Sequence, residues 1–145
     1  MSTPLAPFPD IPAVVMAGIE AYFAPELDPI DIDGQTAYRV AGAFAPEGPL
    51  LGEKFVRVSA LGGPETLITT RPTVDIDVFA GSRREARDLS QRIHQWLVRY
   101  PHRVWYDARF VVLDTVRVSM SPQEVDWQDS RVRRFYSSYQ ISARR

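Results

Sequence analysis

The sequence predicts an α+β domain: a mostly antiparallel or mixed sheet of four to five strands, with one long and one shorter helix packed on it. Three observations carry this. Residues 73–79 alternate, with Val74, Ile76 and Val78 on one side and Asp75, Asp77 and Phe79 on the other, the period of a strand with one buried face. Gly81 and Ser82 break the run, and from Arg83 the period becomes helical, with Ala86, Leu89, Ile93, Trp96, Leu97 and Tyr100 on one face. The patterned segments follow one another as helix, two or three strands, helix, two strands, an order that favours antiparallel pairing with the helices laid on the sheet.

Each element has a local cause. Pro4, Pro7 and Pro9 make residues 1–9 an extended arm, because each proline fixes φ and removes a donor. The remainder, 10–145, reads as one domain. Asp10 is placed to cap a helix from Ile11 to Ala24, with Val14, Val15, Ile19, Tyr22 and Phe23 as its apolar stripe and Pro25 as its stop. Gly18 in that stripe allows a close neighbour. The stretch from Pro25 to Pro72 is rich in loops, with strands expected at 37–45 and 54–61. Ser82, with Glu85 three residues on, forms a capping box for the long helix 83–99, which Pro101 ends. Residues 105–107 read as a connector, 110–120 and 132–143 as the closing strands, and 121–130 as a polar loop that isolates Trp127.

Bulk properties bound the function. The chain has 145 residues, enough for one domain with a sizeable core, and its 45% hydrophobic content is that of a folded protein. It holds no cysteine, which removes disulfides, thiolate ligands and thiol nucleophiles and fits a reducing compartment. No stretch has the roughly 20 apolar residues of a membrane helix, and the N-terminus lacks the plan of a secretory signal. The net charge of -1 hides a division. Residues 1–80 carry 4 basic and 11 acidic side chains, whereas 81–145 carry 13 and 7. Such a division is either a partner surface or a pattern that vanishes when the halves intermix in space.

Catalytic signatures are missing. There is no G-x-S-x-G, Walker loop or G-x-G-x-x-G, and the two histidines, His94 and His102, have no cysteine or H-x-x-x-H context for a metal. Asp75 and Asp77, two apart on one strand face, are the one arrangement that could hold a divalent cation in the manner of a nuclease. Phe79 stands where such a site would carry lysine, so a polar outer face is the plainer reading. The expectation is no enzyme and no cofactor. Leu50 and Leu51, between glycines on the loop Pro46–Glu53, are either tucked onto their own domain or a docking tip, and Trp127 is a second candidate anchor. Arg131, Arg133 and Arg134 lie in a final stretch with no acidic residue, which fits a solvated edge or a subunit contact better than nucleic-acid readout.

Taken together, VRVSALGG (56–63), RPTVDIDVFAGSRREARDLSQRIHQWL (71–97), the Pro122-to-Trp127 loop and the closing RVRRFYSSYQISAR resemble the tail terminator proteins of long-tailed, non-contractile bacteriophages. The order of elements matches over about residues 10 to 143. The resemblance implies a structural virion protein, made in the host cytoplasm, that forms a hexameric ring. Such a ring caps the tail tube, ends its polymerisation and offers a face to the head-side connector. Its partners would be its own copies, the tube protein and the connector, with no membrane and with DNA only passing through the lumen. On that reading Leu50, Leu51, Trp127, Arg131, Arg133 and Arg134 are the candidate subunit or tail-protein contacts. Another neck protein of similar size is the nearest alternative.

Overall fold

A computed structural model describes residues 8–42, 46, 50–61 and 69–144. The elements run α1 (Ile11–Tyr22), β1 (Ile30–Ile32), β2 (Gln35–Ala37), β3 (Val40–Ala41), β4 (Phe55–Leu61), β5 (Thr69–Thr70), β6 (Thr73–Ala80), α2 (Arg83–Leu97), β7 (His102–Tyr106), β8 (Arg109–Val125) and β9 (Arg133–Arg144). The α+β class holds, with two helices, but the described strands exceed the expected four to five. Six lie side by side in the order β3-β4-β6-β9-β8-β7, β5 joins β9 beside them, and β1 and β2 form a separate two-stranded sheet. Only β3 runs parallel to its neighbour β4; the other pairs are antiparallel.

The helices begin where the sequence says. Asp10 accepts a hydrogen bond from the Ala13 amide at 3.3 Å, and Ser82 accepts one from Glu85 at 3.2 Å. Both helices end two residues early, α1 at Tyr22 and α2 at Leu97; Tyr22 and Tyr100 are exposed rather than part of the buried stripes, whereas Phe23, just past α1, stays buried. On α2, Ala86, Leu89, Ser90, Ile93, Trp96 and Leu97 are buried against β6, β8 and β9. Alpha-helix α1 lies beside it and touches β3, β4 and also β7, strands from both ends of the sheet order. The sheet therefore curls around the helix pair. Gly18 is where the helices close up: a Cβ there would lie 2.7 Å from Trp96 Cη2 and 3.2 Å from Val104 Cγ2.

Four expectations about strands are corrected. The stretch 37–45 is not one strand: Gln35–Ala37 belongs to the β1–β2 hairpin and Val40–Ala41 to the main sheet, while 43–45 lie outside the described residues. Asp33 and Gly34, with φ of 51° and 80°, make the two-residue turn of that hairpin. The connector at 105–107 is the end of β7 and the start of a second such turn, in which Asp107 and Ala108 have φ of 52° and 60°. Strand β8 runs on through Val125, well into the expected loop 121–130. Its register slips between Leu113 and Thr115, so Val111, Leu113 and Val116 are all buried while Val112 and Val118 face solvent. Finally, β5 and β6 are one line along β9 interrupted at Arg71-Pro72, where proline has no amide to offer the ladder.

Candidate functional site

The helices cover one face of the sheet, and the opposite face of β4, β6 and β9 carries polar groups. Cross-strand register sets which side chains meet there. Arg57 of β4 stands opposite Asp77 of β6, Asp77 opposite Tyr136 of β9, and Phe79 opposite Arg134. Asp77 stands on the polar outer face that the sequence predicts, but it is only 3% exposed. Its Oδ2 accepts from Arg57 Nε at 3.2 Å and Nη2 at 3.0 Å, and its Oδ1 accepts from Arg134 Nε at 2.7 Å. A carboxylate taken out of water needs such partners, and two guanidiniums supply them. Asp75, two residues earlier, accepts the Tyr136 hydroxyl at 2.8 Å. Burial first, and this carboxylate second, push the Tyr136 phenol above its ordinary pKa.

Beyond the charged triad the same face turns apolar. Phe55, Phe79 and Val132 form a small buried cluster, with Leu50, Leu51 and Trp127 packed against it. The Trp127 ring meets Phe79 edge-on at 4.9 Å, and the guanidiniums of Arg57 and Arg134 lie 5.8 and 5.5 Å from its centre. Gly52 turns the loop with φ of 84°, and Gly81 has no Cβ to collide with it: one would lie 3.0 Å from the Gly52 carbonyl. Four of the six predicted contact residues, Leu50, Leu51, Trp127 and Arg134, are thus brought together, by their own domain. Trp127 is half-buried in intramolecular contacts, so its truncation acts on the folded monomer as well as on any partner.

The other two arginines sit at the rim. Arg131 pairs with Asp129 at 2.7 Å, which holds that carboxyl at about 2, and Arg133 pairs with Glu124 at 3.2 Å. Each of the three arginines therefore has an acidic partner within the chain, supplied from outside the last fifteen residues. The Arg134–Asp77 and Arg92–Glu26 pairs cross the charge division, whereas those of Arg131 and Arg133 lie within the basic half. Glu26, from the acidic half, receives both guanidinium nitrogens of Arg92, at 2.6 and 2.7 Å, and Lys54 at 2.6 Å. The Arg92 hydrogen bonds are the main reason its carboxyl is lowered to about 2. Both histidines are structural: His94 Nδ1 pairs with the Tyr139 hydroxyl at 2.8 Å, and His102 lies against Trp96 and reaches the Leu97 carbonyl at 3.1 Å.

The sequence reading missed the outward face of the β7–β8 hairpin. Trp105 stands opposite Phe110, and Arg103 opposite Val112. Trp105, Phe110 and Val112 are 59%, 48% and 43% exposed. The signal was there in the symmetric spacing of these four residues about Asp107-Ala108. Without a glycine in the turn it did not read as a hairpin.

Fold and site together define an α+β domain with a helix pair cradled in a curled sheet and a polar, arginine-clamped outer face. No family model and no curated protein matches the chain. A solved chain does match in fold, one from a structure described as "Virion of native gene transfer agent (GTA) particle". The likeness covers 93% of this chain and 95% of that chain, with a TM-score of 0.58 and 14% sequence identity. At that identity what is shared is the fold.

Proposed function

We propose that this chain is a structural protein of a phage-type particle and, within that class, the tail terminator: a hexameric ring that caps the tail tube, ends its growth and receives the head-side connector. The observation that carries the reading is the end-to-end likeness to a virion chain. A fold shared over almost the whole of both chains supports a structural part of such a particle, and the resemblance carried by the motifs at 56–63 and 71–97 favours the terminator. A structural role also suits the outer face. The nuclease alternative needs Asp77 as a metal ligand, yet both its oxygens are engaged by guanidiniums, whose positive charge opposes a divalent cation. We therefore read the protein as without catalytic activity or cofactor.

The test is tube growth. Tail tube protein from the same particle, polymerised with and without this chain, should give shorter tubes with one end closed by a ring when the chain is present. Tubes of unchanged length, with no density added at either end, would refute the terminator role. Cleavage of DNA by the purified chain with a divalent metal, lost on Asp75→Asn and Asp77→Asn, would replace it with the nuclease.

A further inference from the structure

We propose that the β7–β8 hairpin is an assembly arm whose outward face docks on the acidic segment 28–33 of a second copy of this chain. The inference rests on the ring reading and names a contact that would close it.

The arm is apolar and positive. Trp105 and Phe110 meet edge-on at 4.9 Å, and the Arg103 guanidinium lies 3.7 Å from the Phe110 centre. Arg103 makes no ion pair among the described residues, and neither does Arg109, which is exposed at the hairpin tip on the Tyr106 side. Two exposed aromatics rimmed by arginine are the composition of a binding hot spot, and contiguous apolar surface of this kind marks a contact face. Trp105 lies on β7, which ends the sheet order, and Phe110 faces it from the start of β8, so the arm is at a margin of the fold.

The complement is on the same chain. Asp28, Asp31 and Asp33 are exposed and make no ion pair among the described residues, although Glu26 between α1 and this segment is fully paired. Burial first, and repulsion from Asp28 second, push the carboxyl of Glu20 on α1 above its ordinary range. Tyr38, the residue after the β1–β2 hairpin, is 58% exposed and adds aromatic surface to the same end of the chain. The positive arm and the negative segment are different patches. A contact between them is heterologous, the kind that propagates from copy to copy and closes into a ring when the rotation allows. Opposed charges would speed and orient the encounter, and the aromatics would hold it.

The test is the solution mass and association constant of the full chain and four variants: Trp105→Ala, Arg103→Glu with Arg109→Glu, Asp28→Arg with Asp31→Arg, and the last two combined. The first three should each associate about tenfold or more weakly with a thermal midpoint lowered by no more than a few degrees, the size of a lost exposed cross-strand contact. The combined variant, with its charges exchanged, should recover association. Variants that form rings as readily as the parent, or a combined variant no better than its components, would overturn the arm while leaving the ring itself standing. A parent chain that stays monomeric even with tube protein present would overturn both.

Discussion

Asp77 decides what the outer face of the sheet can do. Its carboxylate sits at the centre of two arginines that also flank the Trp127 ring, so charge, stacking and the small apolar cluster depend on one side chain. Asp77→Asn keeps the shape and removes the charge, leaving two guanidiniums facing each other without an anion. The expected loss is about 3 kcal/mol, in the range for breaking a shielded ion pair, read as a lower denaturant midpoint. Asp75→Asn should cost less, because the amide oxygen still accepts from Tyr136. Glu26 makes a separate prediction in pH. Its folded value of about 2 lies below the ordinary 4.5, so its contribution is fully present above about 4.5 and is lost as pH falls towards 2. Glu26→Gln should lower stability at neutral pH and flatten the acid limb between those values; an acid limb identical to the parent's would show that other carboxylates govern it. The group is partly exposed, and solvent screening keeps the effect modest.

At the scale of elements, the helices and the strands at 54–61, 73–79 and 132–143 were legible because each turns an apolar face to the core and the period shows. What escaped had a physical reason each time. The register slip after Leu113 breaks alternation within β8, so its outward Val112 and inward Val116 read as one face. The β1–β2 strands are three residues each and bury little, leaving only the Asp33-Gly34 turn as their signature. The β7–β8 turn uses alanine where glycine would announce it. In the candidate site, the sequence placed Leu50, Leu51, Trp127 and Arg134 among the residues that matter, but could not show that β4 and β9 flank β6 and turn Arg57 and Arg134 onto Asp77. The Ala108 turn yields a prediction of its own. A non-glycine residue at φ of 60° costs roughly 1 kcal/mol. Ala108→Gly should therefore raise the thermal midpoint by a few degrees. No gain would mean that the turn is relaxed by contacts on the hairpin.

For the whole molecule, the two helices fill the hollow of the curled sheet and leave three surfaces outside it: the arginine-clamped face, the aromatic hairpin and the acidic segment 28–33. The first is satisfied within the chain, whereas the other two carry charge and apolar area that no ion pair among the described residues matches. That division suits a part made to join copies of itself. The most direct measurement is light-scattering mass in solution, followed by negative-stain imaging of the same sample with tube protein added. The ring account predicts a species of six times the 16.4 kDa chain mass, seen as closed rings and as caps on tube ends. A single 16.4 kDa species under all these conditions, with tube ends bare, would contradict it.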